Sequence, residues 1–340
     1  MIIRSKAPLR IGLAGGGTDV APYSDIYGGA ILNATINLYA YATIEPRNDG
    51  RIVIEAVDRQ QTISLDSTTF LEIDGKLDLA KGIYNRLVKD FTHKALSFKL
   101  TTYVDAPPGS GLGSSSTLVV AITGAFAEWL RLPLGEYDIA RLAWEIERVD
   151  LNMAGGKQDQ YAATFGGVNF MEFFNDNKVI VNPLRIRADV LNELSYNMLL
   201  YYTQTSRYSS DIIEAQMKNV SEQDQDSLLA THNIKKQAIM MKEAILKGKL
   251  DQIGDILNFG WENKKKMAAG ITNANLDEIY ATAIKNGATG GKISGAGGGG
   301  FMFFYCPQNF RFKVKHALEQ RGGYVLPFEF TKNGLSSWRF

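Results

Sequence analysis

Hydrophobic and polar positions along the chain fall into two rhythms. Residues 1–14 and 30–65 are rich in Ile, Val, Tyr and Thr and partly alternate, as in Ile52-Val53-Ile54-Glu55-Ala56-Val57. That period of two predicts strands, parted by glycine-rich and Asn-Asp-Gly turns. A helix is expected over 78–92 and a strand over 96–104. Residues 114–130 are apolar nearly all round after three serines, which predicts a buried helix. Another helix is expected over 136–149, with Ile139, Leu142, Ala143, Ile146 and Val149 on one face. The rhythm changes around 183–195. After a strand at 196–202, helices are expected over about 208–219, 224–247, 250–268 and 275–286. A strand–loop–strand follows around 287–300, then a helix near 308–320 and a strand near 323–330. The pattern is that of an α+β protein. We place a boundary near residue 190, dividing the chain into 1–190 and 191–340 with an extensive shared interface.

Composition narrows the function. The 340 residues are 45% hydrophobic and 21% charged, as in an ordered globular protein. Thirty-seven basic against 36 acidic side chains leave a net charge of +1, so no global field draws nucleic acid or an anionic membrane. The single cysteine, Cys306, excludes an internal disulfide, and His93, His232 and His316 lack the spacing of a zinc signature. No apolar run approaches the ~18 residues that span a bilayer, and the start lacks the apolar core of a signal peptide. A cytoplasmic protein of small-molecule substrates is expected, with homo-oligomerisation left open. The outlying count is 33 glycines, and they cluster.

The central cluster joins an expected strand to the buried helix: Pro107, Pro108, Gly109, Ser110, Gly111, Leu112, Gly113, Ser114, Ser115, Ser116. Glycines let backbone amides approach a ligand closely, and the first helical turn leaves its N–H groups unpaired at the positive end of the helix dipole. Such a loop holds phosphate, with serine hydroxyls for a phosphate oxygen or its metal. It lacks the Gly-Lys-Ser/Thr ending of a Walker loop, and Ser114 stands where a dinucleotide loop needs glycine. The alternative is a tight turn with serine caps.

Two more clusters flank it. The first, Gly15-Gly16-Gly17-Thr18-Asp19, ends a strand and presents a hydroxyl and a carboxylate suited to sugar hydroxyls; Gly28 and Gly29 let the returning chain pass close by. A hairpin turn with an Asp cap is the bland alternative. The last, residues 290–300, formally contains G-x-G-x-x-G, but an apolar strand follows it instead of a helix. Gly297 and Gly298 are therefore read as a backbone clamp near a reacting phosphate.

Asp159 stands between amides just after Gly155-Gly156, a placement that suits a general base for a hydroxyl nucleophile or a helix cap. On the preceding helix, Glu145 and Glu147 point to nearly opposite sides. Glu145 shares its side with Asp138, Arg141 and Arg148, a solvated face, so Glu147 is the carboxylate expected to face inward and hold Mg2+.

Three ordered motifs resemble those of the GHMP kinases: Ala-Pro-Leu-Arg at 7–10, the serine-ended loop at 107–116 and Gly-Ala-Gly-Gly-Gly-Gly at 295–300. The Gly-Gly-Gly-Thr-Asp-Val-Ala-Pro-Tyr opening, with Asn33, is most similar to the sugar 1-kinases among them, and the 155–163 and 202–207 segments to those acting on a heptose 7-phosphate; kinases of unphosphorylated L-fucose are the alternative. A silent sugar or nucleotide sensor is the rival outside catalysis. The resemblance implies a two-domain fold, an amino-terminal domain of the ribosomal-protein-S5 type and a ferredoxin-like carboxy-terminal domain, with ATP and Mg2+ between them. It implies Asp159 as base, Arg10 near the transferred phosphate, Ser115 and Glu147 as Mg2+ ligands, and Asp19 as a sugar ligand. Lys157-Gln158 replaces the apolar residues usual before that Asp. A phosphorylated acceptor needs further cations; Lys157 is the first candidate, with Lys6, Arg207 and Lys292 behind it.

Overall fold

The computed structural model describes residues 1–205 and 209–340. Its strands are β1 (Ile3–Ala14), β2 (Gly29–Pro46), β3 (Arg51–Ala56), β4 (Gln61–Asp66), β5 (Phe98–Val104), β6 (Val168–Phe173), β7 (Val179–Pro183), β8 (Met198–Tyr202), β9 (Gly290–Ile293), β10 (Phe301–Tyr305), β11 (Tyr324–Leu326) and β12 (Ser336–Arg339). The helices are α1 (Tyr23–Tyr27), α2 (Asp78–Leu87), α3 (Ser114–Leu130), α4 (Glu136–Glu145), α5 (Gln158–Phe165), α6 (Ala188–Asn197), α7 (Ser209–Ser221), α8 (Gln225–Leu246), α9 (Ile253–Met267), α10 (Ala274–Lys285) and α11 (Phe310–Glu319).

The first sheet runs β12-β1-β2-β5-β3-β4. The 18 residues of β2 carry two neighbours in series, β6 along its first part and β5 along its last, and β7 extends the sheet beyond β6. Pairing is antiparallel except between β3 and β5. Burial alternates along β3 and β5, as a strand with one covered face requires. In β1, by contrast, every residue from Ala7 to Ala14 is buried, because α3, α5, α8 and α9 all pack against it.

The second sheet, β11-β8-β10-β9, is wholly antiparallel. Helices α7 to α10 lie between β8 and β9 in the chain, and α11 lies between β10 and β11. This β-α-β-β-α-β order is the ferredoxin-like one. The expected α+β fold, a mixed sheet with its helices followed by a ferredoxin-like unit, is therefore present. Residue 190 does not part them cleanly: β12 pairs with β1, and one apolar core gathers Ile11, Phe126, Val190, Met241 and Phe301. Two departures concern the helices near the site. The helices expected over 78–92 and 136–149 each end in a π-turn, at 88–92 and 146–150. A π-turn inserts a residue into the helical count and shifts every later side chain round the axis.

Candidate active site

The three glycine segments, far apart in the chain, close around one cleft. Arg10, near the end of β1, donates its backbone N–H to the Leu112 carbonyl at 3.1 Å and its Nη1 to the Gly111 carbonyl at 2.6 Å. The Ser294 hydroxyl donates to the same Gly111 carbonyl at 2.8 Å, and the Phe301 N–H to the Ser110 carbonyl at 2.9 Å. Gly111 makes this contact possible. Its φ is +78°, and a β-carbon there would stand 2.3 Å from the Ser294 carbonyl oxygen.

Helix α3 opens on this cleft. Its first residues, Ser114, Ser115 and Ser116, line it, and no side chain caps the helix at Gly113. The amide end of a 17-residue helix thus faces the cavity, a disposition that favours an anion. Beside it lies Glu147, fully buried inside the π-turn. One Glu147 oxygen stands 3.5 Å from the Ser115 hydroxyl; the other accepts from the Gln160 side-chain amide, which also donates to the Ser116 hydroxyl at 3.1 Å. The Arg148 guanidinium lies 3.9 Å from that second oxygen. One carboxylate and one hydroxyl, with the rest of the shell left to nucleotide and water, is a donor set that suits Mg2+. Among the described residues no cluster of three or more His, Cys, Asp or Glu residues forms an all-protein metal site.

Asp159 sits in the first turn of α5 and lines the cleft across from α3. Arg10 Nε and Nη2 both reach its Oδ1 at 2.7 Å. Its Oδ2 faces Gly113, where a β-carbon would be 3.1 Å away. The start of α5 is fixed by Asp19, whose Oδ2 accepts from the backbone N–H groups of Lys157 and Gln158 at 2.8 and 2.9 Å. Asp19 therefore joins the first glycine segment to the helix that carries Asp159.

Cations fill much of the remaining wall. Arg148 straps the loop before α5, donating to the Ala154 carbonyl at 3.2 Å. Lys264 of α9 and Lys292 of β9 line the cleft beside Gly17 and Gly16. Burial pulls the Lys264 ammonium down to about 8; Asp19 opposes this and Arg10 adds to it. Lys292 is pulled well below its ordinary range by burial, then by Lys264 and Arg10.

Of the residues expected at the site, Arg10, Asp19, Gly109, Gly111, Gly113, Ser114, Ser115, Ser116, Glu147, Asp159, Lys292 and Gly297 line the cleft. Others support it from behind. Leu112 is buried, and the Thr18 hydroxyl donates to the Gly15 carbonyl at 2.8 Å. Gly29 lies against the Thr18 carbonyl, where a β-carbon would come within 2.1 Å, and its neighbour Gly28 bends the chain. Gly298 bonds the Ile271 carbonyl through its N–H, and Pro107 closes a turn with Ser110. Lys157 is corrected as a cleft cation: its ammonium turns away, 3.7 Å from Asp25 and over the Trp144 ring. Lys6 packs over Tyr39 on the first sheet, away from the cleft. Arg207 lies outside the described residues.

Arg148, Lys264 and Gln216 of the cleft wall, and Gln160 behind it, escaped the sequence reading. Arg148 was placed on the solvated face of an ideal α-helix; the π-turn carries it inward, while Glu145 pairs with Arg86 and Arg141 as a surface residue. Gln160 had no signal of its own. Lys264 did: Ile253, Leu257, Gly260, Trp261, Lys264 and Met267 recur at helical spacing, and all are buried.

With this geometry in view, the comparisons with known proteins are decisive. The chain matches the family models "GHMP kinases N terminal domain" over residues 78–167 and "GHMP kinases C terminal" over residues 241–323, and it belongs to the GHMP kinases. It is thus a phosphotransferase with an alcohol acceptor, and the family implies ATP as donor. Among its relatives is a D-glycero-alpha-D-manno-heptose 7-phosphate kinase of Campylobacter jejuni, 52% identical over 337 residues that cover 99% of each chain. A D-glycero-D-manno-heptose 1-phosphate kinase from Bacteroides thetaiotaomicron, solved as a crystal structure, superposes with a TM-score of 0.85 at 50% identity, covering 99% of both chains. The L-fucokinase/L-fucose-1-P guanylyltransferase of Bacteroides fragilis is 28% identical over 89% of this chain, which spans 34% of that protein. Among the described residues no helix is long and apolar enough to cross a membrane.

Proposed function

We propose that this kinase transfers the γ-phosphoryl group of ATP to the anomeric hydroxyl of D-glycero-D-manno-heptose 7-phosphate, giving the 1,7-bisphosphate. The observation that carries the reading is Asp159: one oxygen is held by Arg10 and the other faces the open amide end of α3 across Gly113. A sugar oxygen between them would meet base and phosphoryl group together.

In that arrangement the amides and hydroxyls of Ser114 to Ser116 hold the β- and γ-phosphates. Mg2+ held by Ser115 and Glu147 would neutralise charge on them. Asp159 accepts the proton of the anomeric hydroxyl as its oxygen attacks the γ-phosphorus, and the bond to the bridging oxygen of ADP breaks. Arg10 stabilises charge on the transferred group, a task of alignment and electrostatics more than covalent chemistry. Polar groups for the sugar are at hand. Among the described residues Gln158 Oε1 and Gln216 Nε2 are buried without a partner, on side chains that line the same cleft, and they supply an acceptor and a donor for hydroxyls.

The heptose reading draws support from the relative that is 52% identical. The names of the two nearer relatives differ on which phosphate the acceptor already carries. The anomeric hydroxyl is the more acidic of the two candidate acceptors, which favours it in front of a carboxylate base. Both routes yield one bisphosphate, so the acceptors must be offered separately. Heptose 7-phosphate, heptose 1-phosphate, free heptose and L-fucose are each incubated with ATP while ADP release and phosphorus NMR are followed. Turnover of the 7-phosphate with a new anomeric phosphate signal is expected. Preference for heptose 1-phosphate or for L-fucose would overturn the assignment.

A further inference from the structure

Lys264 and Lys292 are cleft cations with no part in the transfer step. Both are buried, 2% and 3% exposed. The Lys264 ammonium donates to the Gly16 carbonyl at 3.0 Å and the Lys292 ammonium to the Gly12 carbonyl at 2.9 Å. Among the described residues neither forms an ion pair, although an ammonium has three donors and here one is spent on a carbonyl. A neutral glutamine would cap a carbonyl equally well. Two desolvated cations beside each other, with Arg10 close enough to depress both, are offset only by Asp19, and that for Lys264 alone, so a further anion would relieve them.

The nucleotide is not that anion's natural source. Its phosphates have the amide end of α3, which meets Asp159 at Gly113. Starting from Arg10 at Asp159, the first glycine segment runs through Gly12, where Lys292 is anchored, to Gly16 and Gly17, where Lys264 is anchored beside Gln216. Asp19, the candidate ligand for sugar hydroxyls, lines the same cleft. A heptose whose anomeric oxygen met Asp159 would then have Asp19 for its ring hydroxyls and the two lysines of this wall for its two-carbon arm. A phosphate monoester at the end of that arm carries roughly −1.5 to −2 charges near neutral pH.

We propose that Lys264, backed by Lys292, is the anchor for the acceptor's own phosphate and sets the preference for a phosphorylated sugar. This rests on the acceptor reading above, and the two fail differently in one experiment. Wild type, Lys264→Met and Lys264→Arg are titrated calorimetrically with heptose 7-phosphate, with the free heptose, and with a non-hydrolysable ATP analogue. Wild-type binding of the 7-phosphate well above the free sugar supports the acceptor reading; equal binding overturns that reading and the anchor with it. Given that preference, Lys264→Met should weaken the 7-phosphate by about 100-fold, change the free heptose and the ATP analogue by no more than about threefold, and Lys264→Arg should recover most of the loss. An unchanged affinity for the 7-phosphate in Lys264→Met, or an equal loss for the free heptose or the ATP analogue, would overturn the anchor alone. Retained binding of the analogue also shows that the variant is folded.

Discussion

Arg10 grips a single oxygen of Asp159 with two of its nitrogens and leaves the other oxygen to the cleft. A carboxylate held this way is fixed in orientation yet keeps one lone-pair set for a proton. Asp159→Asn preserves the shape and removes the proton acceptor. Turnover should fall by about 10³-fold or more while the affinity for an ATP analogue stays within a few-fold. Steady-state rates and calorimetry on the same preparation check this, and a near-normal rate would exclude Asp159 as base.

Glu147 is buried between Ser115, Gln160 and Arg148, so its charge is compensated even before a cation arrives. Glu147→Gln keeps the volume and loses the charge. The Mg2+ concentration for half-maximal rate should rise by about tenfold to a hundredfold. A Mg2+ titration at saturating ATP reads it; an unchanged midpoint would remove Glu147 from the metal's shell.

The buried lysines give the acceptor a pH signature. Lys264, pulled to about 8, faces Asp19, Arg10 and Lys292. A bound phosphate dianion favours the protonated ammonium, so binding takes up a proton wherever the free lysine is neutral. Affinity for heptose 7-phosphate should hold below pH 8 and fall above it, by up to roughly tenfold per pH unit. Calorimetry at pH 7, 8 and 9 measures it, and Lys264→Arg should flatten the slope. For the unliganded fold the sign is opposite. Between about 8 and the ordinary 10.5 the unfolded chain binds more protons at this lysine, so its contribution to stability improves as pH rises.

Gly111 stands in the left-handed region with the Ser294 carbonyl where its β-carbon would be. Gly111→Ala should cost about 1–3 kcal/mol in denaturant unfolding and weaken the ATP analogue, since the clash parts the second and third glycine segments. Unaltered stability would show that the loops part without penalty.

Lys157 makes the contrasting case. Its ammonium is buried over Trp144 and, among the described residues, has no hydrogen bond. Lys157→Met should leave the KM for heptose 7-phosphate within about twofold and keep or raise stability, as apolar replacements of buried charges often do. A large rise in KM would return the residue to the sugar site.

The sequence spoke most clearly where function demanded unusual backbone. The loop at 107–116 and Asp159 were legible because glycine clusters, a helix start and a carboxylate after glycines each have few structural causes, whereas Arg10 entered only through the family resemblance. Registers after irregular turns were not. The π-turn at 146–150 left Glu147 pointing inward as expected and moved Arg148 across the helix, a shift no ideal periodicity encodes. Strands β6 and β7 went unread although Gly166-Gly167 and Asn175-Asp176-Asn177 bracket β6, because five- and six-residue runs without clean alternation carry little period; pairing of β6 with β2 and of β7 with β6 is what fixes them. Lys264 was hidden by its neighbours, since Lys264-Lys265-Lys266 looks like a solvated run until the apolar spacing on either side is followed. Lys157 misled because adjacency in the chain to the base helix is not adjacency in space.

The strand Ser336–Arg339 ties two distant stretches of the chain together. It pairs with Ile3–Lys6, and Ile2 and Phe340 exchange backbone hydrogen bonds. With β2 on the other side, the opening half of β1 is flanked along both margins, so the stretch that leads to Arg10 keeps its amides away from the edge of a foreign sheet.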